Sequence, residues 1–159
     1  MIDPRVSSNT GREAIYAAVF ARLSVITGLG CSSRIWRAPD ELNDGQFPAL
    51  FCEEQPEEKI TEQEGRRWKW ILKVDVTVYV AANQSDVPVG QETAVPATTL
   101  NELIDQVEAA FAVPLGQRQT LGGLVQHAEI KGRILRAAGI PAKSNQVSMA
   151  VIPVVITTL

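Results

Sequence analysis

Polar and apolar positions alternate most sharply over Arg66–Ala82, RRWKWILKVDVTVYVAA. Even positions carry Trp68, Trp70, Leu72, Val74, Val76, Val78 and Val80; odd ones carry Lys69, Lys73, Asp75 and Thr77, with Ile71 and Tyr79 as exceptions. Side chains alternate across a pleated strand, so the pattern predicts a strand with one buried face. At about 3.3 Å per residue its seventeen residues would span about 56 Å. A compact chain of this length measures about 40 Å across, from a radius of gyration of about 15 Å. The strand is therefore expected to bend sharply or to project from the body.

Two segments have helical period instead. Ile15, Val19, Leu23 and Ile26, widened by Tyr16 and Phe20, predict a helix over roughly 11–27, opened by the capping-box pattern Thr10–Glu13 and stopped by Gly28 and Gly30. Leu100, Leu103, Ile104, Val107 and Phe111 predict a second helix, opened by Thr99–Glu102 and ended near Ala112 by Pro114. Ser33–Arg37 and Phe47–Glu54 read as short strands, Asn83–Pro96 as a loop, Leu124–Leu135 as a strand and Arg136–Ser144 as a turn. Val147–Thr157 is apolar on both faces, as in a doubly covered strand, and its Pro153 calls for a bulge or an edge.

Between Phe47–Glu54 and the long strand, Glu53, Glu54, Glu57, Glu58, Glu62 and Glu64 crowd twelve residues. This stretch is either a solvated loop or one arm of a hairpin turned at Glu64–Gly65. The hairpin accounts for the overlong strand and sets glutamates across from Arg66, Arg67 and Lys69, each exposed pair contributing ~0.2–1 kcal/mol. Trp68 and Trp70 share a face and serve either as core or as exposed anchors, and Trp36 poses the same question. The resulting order, α–β–β–β–α–β–β, defines an α+β fold: a two-layer sandwich of a mostly antiparallel sheet packed by two helices, with a projecting β-hairpin, in one domain spanning 1–159.

Composition narrows the function classes. Fifteen Lys+Arg against eighteen Asp+Glu give a net charge of −3, which argues against nonspecific duplex binding. No apolar run reaches the length of a membrane helix and the N-terminus lacks a signal-peptide layout, so a cytoplasmic protein or a particle assembled there is expected. Cys31 and Cys52 lack the further ligands of a zinc site and read as unpaired thiols. The only histidine, His127, has no serine elbow or orienting carboxylate beside it in sequence, which predicts a solvent-facing or subunit-contact histidine. Leu121-Gly122-Gly123-Leu124 lacks the lysine and hydroxyl of a phosphate loop and reads as a turn. The glutamate run looks solvated. The expectation is therefore a non-enzyme with no catalytic, cofactor-binding or metal-ligating residue.

REAIYAAVFARL, FPALFCEE, the Trp-led strand, TTLNELIDQVEAAF and above all QTLGGLVQHAEIKGRIL resemble tailed-phage tail terminators of the lambda minor tail protein U type, over roughly 12–157. The resemblance implies a mixed α/β sandwich that forms a homo-hexameric ring on the head-proximal end of the tail tube. Such a ring stops tube polymerisation and offers a surface to the neck or head-completion protein. Its expected place is the tail–neck junction of the virion, reached through the host cytoplasm. No membrane is involved, and no nucleic-acid recognition beyond enclosing a DNA channel. Another neck or tail-tube component of a phage or prophage is the alternative, ahead of a small ligand-binding module. The charged ribbon, Glu57, Glu58, Glu62, Glu64, Arg66, Arg67, Trp68 and Lys69, supplies unlike patches of the kind a head-to-tail ring contact needs, and is the expected interface.

Overall fold

The period-two segments assemble into a mixed sheet in a computed structural model that describes residues 7–60, 69–82, 94–144 and 146–158. Its elements are α1 (Ser7–Ser24), β1 (Cys31–Ser33), β2 (Ala49–Ile60), β3 (Lys69–Ala82), α2 (Ala94–Phe111), β4 (His127–Ile130), β5 (Leu135–Pro141) and β6 (Gln146–Thr157). The six strands run β1-β2-β3-β6-β4, with β5 also on β6. Among the described residues, only the β1–β2 pair is parallel. The expected α+β sandwich of two helices on a sheet is therefore observed.

Both helices cover one sheet face. Val19 and Leu23 of α1 and Leu103, Val107 and Phe111 of α2 pack on Leu72, Val74, Val76, Val78 and Val80 of β3 and on Ile152, Val154 and Ile156 of β6. Asp105, Gln106 and Glu108 face solvent on α2, as the 3.6 period requires. Both helices begin earlier than their capping boxes imply. Thr10 and Thr99 lie inside helices, and the Glu13 carboxylate is drawn away to Arg34. Pro96 falls in the first turn of α2, where a missing N–H costs no helical bond.

Several strand boundaries differ from the periodicity. β2 runs on to Ile60 and pairs with β3 as far as Ile60↔Lys69, so the 55–60 stretch is strand and the hairpin arrangement holds; residues 61–68, with its turn, lie outside the described residues. A register shift between Gln55 and Glu58 bends β2 there. The described part of β3 does not overhang, because β6 flanks it from Ile71 to Ala82. β1 lies at Cys31–Ser33 rather than 33–37, since it forms only where it meets Ala49–Phe51.

The expected Leu124–Leu135 strand shrinks to β4, and the expected turn at 136–144 contains β5. β4 and β5 lie end to end along β6, pairing with Val154–Thr157 and Gln146–Val151 respectively. Pro153 explains the break. Its carbonyl accepts from Lys131 N at 3.1 Å, so its missing donor faces this joint and leaves the β3 side of β6 unharmed. Pro153 thus sits in an interior strand, and the discontinuity appears in the neighbours. β6 is buried on the helix side at Ala150, Ile152, Val154 and Ile156; on the other side Val147 is buried, while Val151, Pro153 and Val155 are half-buried.

Among the described residues, the second sheet face is covered at one end only. There Phe51 and Tyr79 stack edge to face, with ring centroids 5.8 Å apart, beneath Leu42 from the turn at Pro39–Glu41.

Candidate interaction surface

Of the ribbon residues, Glu57, Glu58 and Lys69 are described; Glu62, Glu64, Arg66, Arg67 and Trp68 lie outside the described residues. The structure does not join the first three to one another. Glu57 turns to the helix layer, accepting from Arg12 Nε at 2.7 Å and from the Tyr16 hydroxyl at 3.0 Å. Glu58 meets Lys73 at 3.3 Å, and Lys69 Nζ donates to Gln126 Oε1 at 3.1 Å. The Arg12 guanidinium also lies 4.5 Å from the Trp70 ring centroid. Trp70 is therefore a partly buried flank of the core, lidded by a cation, while Trp36 is 46% exposed. Burial and the Glu57 carboxylate both raise the Tyr16 pKa, so its hydroxyl stays a donor at every physiological pH.

A second clamp holds the middle of β2. Arg34 holds Glu13 on α1 at 2.5 and 3.1 Å and Glu54 on β2 at 2.5 Å. The hydrogen bond to Arg34 lowers the Glu13 pKa, and both carboxylates raise that of Arg34. Sequence spacing carried no signal for this clamp, because its partners come from three separate segments.

The sheet face opposite the helices holds an open groove of about 470 Å³ lined by Gln55, Pro56, Lys73, Asp75, Lys131 and Pro153 among others. Its floor is half-buried and mixes the charged Lys73 and Asp75 of β3 with Pro153 and Val155 of β6. Asp75 stands directly across from Glu53 on β2 and from Pro153 on β6. Burial raises its pKa above 3.8. Since the folded state disfavours the carboxylate, Asp75 destabilises the fold once pH rises above 3.8 and through the raised value. Asp75→Asn should accordingly raise the melting temperature at pH 7 by about 1–3 °C, a small gain because the group is partly solvated. The gain should vanish in melts below pH 3.8; an equal gain at both pH values would assign the effect to something other than ionisation.

His127 lies on β4 beside this face, with Nε2 at 3.2 Å from Glu129 and Nδ1 buried without a hydrogen-bond partner among the described residues. The Leu121–Leu124 stretch is a turn: Gly122 and Gly123 have φ of 74° and 90°, and the buried Gln119 side chain accepts from Leu121 N at 3.1 Å. Cys52 is a buried thiol whose pKa burial pushes up to about 12, and Cys31 is likewise free. Among the described residues, no group of three or more His, Cys, Asp or Glu could hold a metal ion, and no helix is long and apolar enough to cross a membrane.

Large apolar side chains stand exposed near both edges of the sheet, Ile35 at 73% just after β1 and Leu135 at 60% on β5. The class these features define is an α+β domain with one sheet face sheltered by helices and the other half open. Compared with known proteins, the chain matches no family model and no curated sequence.

Proposed function

We propose that the protein is a structural assembly protein of a tailed phage, a tail terminator that forms a ring on the head-proximal end of the tail tube. The ring is hexameric by the resemblance of Gln119–Leu135 and its flanking elements to that family. It stops tube growth and presents a docking surface to the neck.

The observation that carries this reading is the uneven cover of the sheet. Helices bury one face, while the other holds an open groove in which Pro153 and Val155 mix with Lys73, Asp75 and Lys131. Exposed Ile35 and Leu135 at opposite edges supply unlike apolar patches. Unlike patches on one subunit are what a head-to-tail contact joins, and such a contact closes into a ring when the rotation per subunit fits.

Electron microscopy of tails assembled with and without this protein provides the test. With it, tails should end flush at one length; without it, tubes should overrun and lack heads. Tails of normal length and normal head attachment in its absence would refute the reading. Purified protein that polymerises into indefinite tubes would instead make it a tube subunit.

A further inference from the structure

Strand register lays the open sheet face out in rows. Glu53 of β2, Asp75 of β3 and Pro153 of β6 stand side by side across its middle. Gln55, Lys73 and Val155 form the next row on one side, and Phe51, Thr77 and Val151 the next on the other. The lysines of the groove are matched within the chain: Lys73 meets Glu58 at 3.3 Å and Lys131 meets Glu129 at 4.0 Å. Glu53 and Asp75 are not matched. Among the described residues neither carboxylate has an ion pair or a hydrogen bond. They are direct cross-strand neighbours, a placement in which like charges repel. Asp75 is also half-buried, and burial raises its pKa with no described cation lowering it.

An unused hydroxyl lies on the same face. Tyr79 is fully buried, and its Oη has no hydrogen-bond partner among the described residues. Burial raises its pKa, the Trp36 indole lowers it and the Glu53 carboxylate raises it again, so these three side chains are neighbours.

We infer that this face receives an arginine from a partner polypeptide other than this chain, its guanidinium on Glu53 and Asp75 and its alkyl stem over Pro153 and Val155. A cation there replaces the repulsion between the two carboxylates with charge-assisted hydrogen bonds. Guanidinium fits better than ammonium. Its planar fork presents five donors, enough to bridge two carboxylates whose Cβ atoms lie about 5 Å apart, and it is the more weakly hydrated of the two. Pro153 and Val155 are half-buried and apolar, a surface suited to the arginine stem, and Trp36 offers an exposed ring at the Glu53 end. The arginine is foreign for two reasons. Arg12, Arg34 and Arg136 are each held by acceptors of their own chain. A net charge of −3 also sets copies of the chain against one another and draws in a basic partner. The inference goes beyond the terminator reading, because it concerns the chemistry of whatever docks here, tail component or not.

A titration of the isotope-labelled protein with a capped pentapeptide, alanine-valine-arginine-valine-alanine, tests the site through backbone amide shifts. The amides of Glu53, Asp75, Val151 and Val154 should shift saturably, with a dissociation constant of about 1–5 mM. The same peptide with citrulline, which keeps the shape of arginine without its charge, should bind at least about tenfold more weakly. The arginine peptide should lose about as much on the variant Glu53→Gln with Asp75→Asn. That variant should stay folded, since Glu53 is exposed and the Asp75 carboxylate costs stability at pH 7. Equal binding of the two peptides, normal binding by the variant, or no saturable shift up to about 20 mM would overturn the inference. So would shifts of the same amides on raising the protein concentration alone, which would make a second copy the occupant. No arm of this titration involves a tail, so microscopy of tails decides the terminator reading separately.

Discussion

Phe51→Ala should destabilise the fold by about 3–5 kcal/mol, the range for truncating a fully buried aromatic ring. Phe51 is 1% exposed and stacks edge to face on Tyr79, which is itself fully buried. The two rings join Leu42, Ala49 and Val147 in a small core on the sheet face that the helices do not cover. Little else there can collapse into the space, because Leu42 arrives on a loop and Ala49 and Val147 are held in register by β3. Thermal melts should fall by about 6–20 °C for a chain of this size. A loss under about 1 kcal/mol would mean that this second core does not anchor the loop at Pro39–Gln46.

Gly30→Ala should be about as damaging, for a steric reason. A Cβ on Gly30 would lie 2.5 Å from the Gln46 carbonyl carbon and 2.7 Å from the Phe47 oxygen. Both are backbone atoms, so no side chain can swing aside. Nor can Gly30 withdraw freely, since its N–H donates to Pro48 O at 2.7 Å and so brings β1 alongside the start of β2. Overpacking costs ~1–3 kcal/mol where side chains can yield, and this site should sit at or above the top of that range. Gly45→Ala is the control, since nothing stands within 4 Å of its Cβ position, and it should change stability by no more than about 0.5 kcal/mol. Hydrogen exchange would localise the damage: amides of Cys31–Ser33 should lose protection in Gly30→Ala and keep it in Gly45→Ala. Equal stability of the two variants would show that β1 is not held by this close approach.

The candidate surface was legible only in its charge. The glutamate run announced a charged arm, yet the partners of Glu54 and Glu57 turned out to be Arg34 and the Arg12–Tyr16 pair. Residues that meet across 20 to 45 positions leave no spacing to read. The free edges of the sheet were equally hidden, because an edge exists only once strand order is known.

Local periodicity by itself determined the buried stripe of α2, the core-facing positions of β3 from Leu72 to Val80 and the α+β class. Each follows from side-chain direction, which repeats every 3.6 or every two residues whatever the rest of the chain does. Tertiary structure alone decided β5, whose Leu-Arg-Ala-Ala-Gly-Ile-Pro run has weak strand preference and becomes a strand by pairing with β6. It also decided where the cost of Pro153 falls, at the β4–β5 joint, and which half of the second sheet face stays open. Pairing and cover depend on neighbours distant in sequence, and a one-dimensional pattern holds no record of them.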